Sequence, residues 1–504
     1  MTTAPQAYQE LSALSKEIRL LRSIAGVLGW DRETYMPTKA SPLRADQMSY
    51  LSGRAHRLLI DPRFGDLLAT VEQDGLAEDP ASDAAVNLRE WRHDYDRGVK
   101  VPAELVEEIT HTAVLAQRSW VNARKASDFS IFQPHLTQLI TLTRRMAEHI
   151  GYEQTPYDAL LDGYEPGETT ANVQRLFAGL RAELVPLVQA IQDSPVRPRS
   201  EILTRDYPVD RQYLFGRSAA AAFGYDLAAG RLDTVTHPFC SGIGPGDVRI
   251  TTRYNLNFFN EAFFGILHES GHGLYEQGLP VEFFGLPRGE DIGMGIHESQ
   301  SRLWENFVGR SRDYWTYFFP RAQQMFPEAL ADVTMEAFYF AVNEVKPSLI
   351  RVEADEVTYN LHIMLRFEIE QAIVSGDLAI ADIPAAWNET FAKYLGIAVP
   401  DDSQGCLQDI HWSFAGFGYF PTYALGNLYG AQIFAAARQA LPDLPAHIRR
   451  GDFSPLLAWL KENIYSQGKR YRSRQLVEKI SGAEPSHEPL VAYLQAKYGE
   501  LYHL

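Results

Sequence analysis

The chain reads as an all-α, mainly helical protein that carries one small β element. Three observations support that reading. Apolar residues recur at helical spacing along most of the length. No linker or low-complexity segment interrupts them. One stretch, residues 234–254, departs from the pattern with a Gly/Pro-rich turn and a β-branched run.

Near the start, Leu11, Leu14, Ile18 and Leu21 fall three and four apart, which places them on one helical face. Ser41-Pro42 reads as an N-cap followed by proline at the first helical position, where its missing N–H costs nothing. Long amphipathic stretches follow at about residues 41–60, 84–97, 102–124, 132–150 and 170–193. With no internal repeat and no charge block, a single unit over residues 1–504 is expected, with room for two lobes. The interruption, TVTHPFCSGIGPGDVRITTRY, predicts a short hairpin or small sheet, with Val248 to Thr252 as a strand. Its glycines at 242, 244 and 246 resemble a phosphate loop only faintly. Pro245 sits among them, no Gly-Lys-Ser/Thr follows, and the next element is strand-like.

Composition narrows the class. Apolar residues at 45% and charged residues at 22% are the balance of a soluble globular chain. Nowhere does an apolar run reach the length that spans a bilayer, and Gln9, Glu10, Lys16, Glu17 and Arg19 break up any signal-like segment, so a cytoplasmic location is expected. A formal charge of -17 argues against nucleic acid and anionic membrane surfaces as partners. Cys240 and Cys406 are too few for a disulfide framework or a thiolate metal site and read as small core residues.

The informative segment is FFGILHESGHGLYEQGLP, residues 263–280. His268 and His272 lie four apart, so on a helix both imidazoles leave the same face one turn apart and can grip one zinc ion. Glu269, beside the first histidine, can reach a water there without being a ligand. Leu267 and Leu274 can pack this helix into the core, and Gly278 with Pro280 supplies a stop. A catalytic zinc site takes a third protein ligand and leaves a position open. The helix-like segment GMGIHESQSRLWENFVGR, residues 293–310, offers Glu298, His297 and Glu305. Adjacent helical residues point about 100° apart, so His297 and Glu298 are competitors. Glu305 suits an ion pair or a supporting role better than ligation.

These residues resemble the M32 family of metallocarboxypeptidases. His237-Pro238-Phe239 and Asp247-Val248-Arg249-Ile250-Thr251 match that family's HPF and DxRxT motifs. His268-Glu269-Ser270-Gly271-His272 and His297-Glu298-Ser299-Gln300 match HExxH and HES/GQ. Ile350 to Asp355 and Gly405 to Trp412 match I/NRxxA/SD and GxxQDxHW. Trp30-Asp31, Met36-Pro37 and the run Tyr157 to Gly167 are family-like as well, so the resemblance extends from about residue 25 to the C-terminus.

The resemblance implies a helical zincin-like fold with a deep central groove, and zinc held by His268, His272 and Glu298. It implies Glu269 as general base, broad specificity for peptides with a free C-terminus, and a homodimer. Cobalt or manganese could occupy the same donors. Within HWSFAGFGYFPTYALG, residues 411–426, His411, Tyr419 and Tyr423 are the candidate oxyanion donors, Tyr419 first, with the alternatives that the tyrosines pack the groove wall and that His411 contacts substrate or supports a neighbour. An exopeptidase must also hold a free carboxylate, for which a planar guanidinium is suited. Arg351 is the first candidate and Arg249 the second, against the alternative that each pairs with a carboxylate such as Asp355 or Asp247. The strand 247–253 is a candidate edge for pairing with substrate backbone. His237 and Asp409 are candidates for orienting the ligands or contacting substrate. The motifs leave two rivals: an endopeptidase or dipeptidyl carboxypeptidase on the same scaffold, and an inactive peptide-binding protein stabilised by zinc.

Overall fold

In the computed structural model, which describes residues 3–504, the amphipathic stretches form the helices Ser41–Leu59, Asp83–Lys100, Ala103–Ala126, Gln133–Ile150 and Thr170–Asp193. The fold is mainly helical, with a single three-stranded sheet among the described residues. The first helix, Ala4–Thr34, buries Leu11 and Ile18 and half-buries Leu14 and Leu21, the four residues its spacing had aligned. No helix among the described residues is long and apolar enough to cross a membrane.

Ser41 does not cap. A 3-10 turn, Thr38–Ala40, precedes it, so Ser41 already has helical backbone angles and its hydroxyl donates back to the Thr38 carbonyl at 2.8 Å. Side-chain caps form where the preceding residue is extended, as at Ser82, whose hydroxyl accepts from the Ala85 N–H at 3.2 Å, and at Thr169.

The sheet consists of β1 (Gly230–Thr234), β2 (Cys240–Gly244) and β3 (Asp247–Thr252) in the order β1-β3-β2. β2 and β3 form the expected antiparallel hairpin, turning through Pro245 and Gly246, whose φ of 79° glycine tolerates. β1, which pairs parallel to β3, lies almost wholly outside the predicted stretch. The strand 247–253 is therefore central rather than an edge. Both of its backbone edges are taken, and the hairpin's free edge belongs to β2.

Apolar side chains gather in two clusters. A small one packs Leu11 and Ile18 against Phe64, Leu67, Leu68 and Trp91. The large one extends from Ala116 to Tyr502 and takes in Leu267 and Leu274 as expected. Cys406 lies inside it, while Cys240 is only partly buried at its margin.

Three helices in the large cluster cross with almost no space between their backbones. Phe259–Gly278 carries the HExxH residues, Met294–Arg302 carries Glu298, and Pro421–Ala440 packs on the far side. A Cβ added at Gly271 would lie 2.5 Å from the Gln300 carbonyl oxygen, and one at Gly426 would collide with the Glu298 side chain. Glycine at these two crossings lets the middle helix sit deep enough to bring Glu298 to the histidines.

Gly271→Ala should therefore destabilise the fold by about 1–3 kcal/mol, because the methyl meets backbone that cannot step aside. Gly265→Ala, six residues away on the same helix, meets only Thr252 Oγ1 at 3.6 Å and should be neutral or stabilising by up to about 1 kcal/mol. Denaturant midpoints of the two variants check the contrast.

Candidate metal centre

His268 and His272 leave one face of the Phe259–Gly278 helix, as their i, i+4 spacing requires. Their Nε2 atoms lie 3.6 Å and 3.4 Å from one and the same oxygen, Glu298 Oε2. The three donor atoms all fall within 4.8 Å of one another. Metal bonds of about 2.0–2.1 Å in tetrahedral arrangement place neighbouring donors about 3.3 Å apart, so the observed separations fit a cation of zinc's size. They are also longer than ordinary hydrogen bonds, which leaves the oxygen shared between the rings rather than committed to one.

The far side of each ligand is held in place. Glu305 Oε2 accepts from His268 Nδ1 at 2.9 Å, which fixes the tautomer that leaves Nε2 as a lone pair. His272 Nδ1 meets His297 Nδ1 at 2.6 Å, and His297 Nε2 meets Glu276 Oε1 at 2.9 Å. For His272 Nε2 to be the free nitrogen, the proton between the two Nδ1 atoms must sit on His272, with a neutral His297 accepting it and donating to Glu276. Arg302 Nε donates to Glu298 Oε1 at 2.7 Å and Ser301 Oγ to Oε2 at 2.9 Å. His297, weighed as a third ligand, is thus outside the triad and supports His272 instead. Glu305 takes the supporting role expected of it. Asp409 and His237 do not orient the ligands. Asp409 is occupied by Arg351 and Arg366, and His237 sits on the exposed approach to β2 with no side-chain hydrogen bond among the described residues.

The electrostatics follow from these partners. Burial alone would raise the Glu298 carboxyl, yet the Arg302 guanidinium and His268 hold it well below the ordinary carboxylate range. Glu305, likewise buried, is brought down to about 2 by Arg302 and His268. Burial with the neighbouring His297 and His268 presses His272 down to about 3, which keeps its ring neutral. His272 can therefore offer a lone pair beside an ionised carboxylate, as a divalent cation needs. At His268 burial is outweighed by Glu298 and Glu305, its ring is raised above the ordinary value, and a cation must displace its Nε2 proton.

Glu269 is 6% exposed and makes no side-chain hydrogen bond among the described residues. Burial, aided by the charge of Glu298, pushes its carboxyl up to about 7. A carboxyl with no fixed partner and such a pKa can both accept and return a proton near neutrality.

A second group of predicted residues assembles next to the triad. The Tyr419 and Tyr423 rings lie 5.2 Å apart, and His411 is 5.4 Å from Tyr419. Burial raises both phenols, and the Glu298 charge acts on each of them. Arg351 lies over the Tyr423 ring at 5.0 Å and donates to Tyr359 OH at 3.0 Å, while Arg302 stacks on the other part of Tyr359 at 4.4 Å. Tyr359 thereby ties the Arg351 group to the residue that holds Glu298. Arg351 pairs with Asp409 at 2.9 Å, not with Asp355, which instead accepts from the Val357 and Thr358 N–H groups. Arg249 stands apart from both groups, paired in-strand with Asp247 at 2.7 Å and stacked on Trp30 at 4.2 Å.

Sequence reading passed over Arg302, Glu276 and Tyr359. The first two stand four residues beyond Glu298 and His272, a spacing that could have found them. Glu305→Ala should weaken metal binding by about 10–100-fold, as loss of a ligand's orienting partner does. Competitive chelator titration reads this, and an unchanged affinity would remove Glu305 from that role.

Comparison with known proteins agrees with this geometry. Residues 10–498 match the family described as carboxypeptidase Taq (M32) metallopeptidase. Thermostable carboxypeptidase 1 of Thermus thermophilus is 48% identical, covering 99% of this chain and 100% of that protein. Carboxypeptidase 1 of Bacillus subtilis is 38% identical, covering 98% of each. The solved structure of an M32 carboxypeptidase from Deinococcus radiodurans superposes with a TM-score of 0.95 at 40% identity, covering 99% of this chain and 100% of that one. A helical fold around an HExxH helix, a convergent His-His-Glu group and end-to-end likeness at these identities lead to one assignment: the chain belongs to the M32 family of metallocarboxypeptidases.

Proposed function

We propose that this enzyme is a zinc carboxypeptidase that releases single residues, with broad specificity, from peptides bearing a free C-terminus. The observation that carries the proposal is the convergence of His268 Nε2, His272 Nε2 and Glu298 Oε2, with the unpartnered carboxyl of Glu269 beside them. Two imidazole nitrogens and one carboxylate oxygen are the donor set of a catalytic zinc site, and cobalt or manganese could substitute. When bound there, zinc supplies Lewis acidity, making a water nucleophilic near neutral pH and polarising the scissile carbonyl.

The chain's own residues supply the rest. Glu269 takes the proton of the attacking water and returns it to the departing amine, a transfer worth about 10²–10⁴-fold. Tyr419, or Tyr423 next to it, donates a hydrogen bond to the oxyanion as the carbonyl becomes tetrahedral. His411, 5.4 Å from the Tyr419 ring, is a further substrate contact. Arg351 receives the terminal carboxylate through the N–H groups that Asp409 and Tyr359 leave free, and this separates an exopeptidase from an endopeptidase on the same scaffold. Arg249, committed to Asp247, is left out of that role. The extended substrate pairs with the free edge of β2, where Cys240 lies close enough to Glu269 and Glu276 for both carboxylates to act on its thiol. A homodimer is the working form expected of the family.

Glu269→Gln should keep its metal yet lose about 10²–10⁴-fold in kcat, read by metal analysis alongside turnover. An active variant would exclude the residue as base. Arg351→Ala should erase the preference for a peptide over its C-terminal amide, a loss of about 10–100-fold in kcat/KM on the free acid. Mass spectrometry of the parent's products should give single-residue ladders from the C-terminus, whereas dipeptide release would contradict the proposal.

A further inference from the structure

Behind the groove wall, two guanidinium groups share a single carboxylate. Arg351 donates through Nε and Nη2 to Asp409 Oδ1 at 3.0 Å and 2.9 Å. Arg366, with no exposed surface at all, donates through Nε to Asp409 Oδ2 at 2.6 Å and through Nη1 to the His362 carbonyl at 2.7 Å. Among the described residues neither arginine has another acidic partner. The next carboxylate, Glu370, is filled by neutral donors: Tyr157 OH at 2.6 Å, Trp412 Nε1 at 2.9 Å and the Gly418 N–H at 3.1 Å. The nearby imidazoles add no negative charge, since burial and the two arginines keep both His362 and His411 below their ordinary values and therefore neutral.

The two guanidinium groups thus have one directly paired carboxylate between them, with Glu370 acting on Arg366 only from a distance, in a region where an incompletely compensated buried charge is costly. Arg366 Nη2 also lies 2.6 Å from Asp409 Oδ2, so both ends of that guanidinium face the same oxygen, while His411 Nδ1 has no hydrogen-bond partner among the described residues. Arg366 itself is sealed between Trp387 and Phe420, at 4.6 Å and 5.5 Å from the ring centres, and cannot reach the groove. Arg351, over Tyr423 and next to the site, can.

We propose that Arg366 is a positioning residue for substrate recognition: by claiming one oxygen of Asp409 it prevents that carboxylate from neutralising Arg351, and the substrate's own terminal carboxylate completes the charge balance. This rests on Arg351 being the carboxylate-binding residue. Without Arg366, Asp409 and Arg351 would form a closed one-to-one pair, and an incoming carboxylate would have to compete with Asp409 for it. A unit charge about 6–12 Å away at an effective dielectric of about 20 is worth a factor of about 10–100 in affinity. Arg366 therefore acts on binding and on the acid-over-amide preference, not on bond cleavage.

The test is steady-state kinetics of the metal-loaded enzyme on one peptide and its C-terminal amide. Arg366→Gln should raise KM for the free acid about 10–100-fold, move kcat less, and narrow the acid-over-amide preference by the same factor as KM. Adding Asp409→Asn removes the competing negative charge and should restore that preference to within about fivefold of the parent. A residue that merely packs would give the opposite, a double variant worse than either single one. An unchanged KM in Arg366→Gln, or no recovery in the double variant, overturns the inference. Should the glutamine variant not fold, Arg366→Lys keeps the charge and should stay within about fivefold of the parent KM, and a rise as large as that of Arg351→Ala would be contrary. Arg351→Ala separates the two levels. If it leaves the acid-over-amide preference intact, the underlying assignment fails and this inference with it. If it erases the preference while Arg366→Gln does not, this inference alone fails.

Discussion

Everything at this site depends on how closely three helices approach. The helix Met294–Arg302 is held between Phe259–Gly278 and Pro421–Ala440, with glycine at the crossings on both sides, so that no Cβ keeps the backbones apart. That depth of packing puts Glu298 Oε2 between two imidazole nitrogens whose own separation is set by one helical turn. The same helix, continuing as the π-helical segment Leu303–Gly309, brings Glu305 to the back of His268. π-helical insertions often mark functional sites, and here the widened turn re-aims one carboxylate toward a ligand.

Such packing brings many charges out of water, and the structure tolerates them by linking each to the next. Glu298 is held by Arg302, Arg302 also contacts Glu305, and Glu305 holds His268. On the other side, His272 leads to His297 and then to Glu276. Removing any one member would strand its neighbour without a partner, which costs more than the pair contributes when whole. The groove wall departs from this rule. Two arginines there share one aspartate.

Local patterns in the sequence were readable to the extent that local physics governs them. The amphipathic stretches became helices with ends within a few residues of those expected, and the β-branched run after Gly246 became β3. The HExxH pair and Glu298 met as their spacing and the family resemblance implied. β1 escaped notice because Gly-Arg-Leu-Asp-Thr shows no β-branched run. Its polar residues are satisfied in the fold by one another and by Tyr35, where Arg231 pairs with Asp233 at 2.6 Å. Ser41 misled because a preceding 3-10 turn, invisible to a two-residue cue, had already started the helical backbone. Arg351's actual partner was not legible for another reason. Asp409 is far along the chain, and nothing local distinguishes it from the nearer Asp355. Long-range pairs of that kind are fixed by packing, which no spacing rule reports.

The most direct test of the central claim is anomalous diffraction at the zinc edge from crystals of the metal-loaded protein. The expected result is one strong peak bounded by His268 Nε2, His272 Nε2 and Glu298 Oε2, each about 2.0–2.2 Å away. A peak that takes His297 or Glu305 as a ligand, or one that lies away from all three donors, would contradict the account.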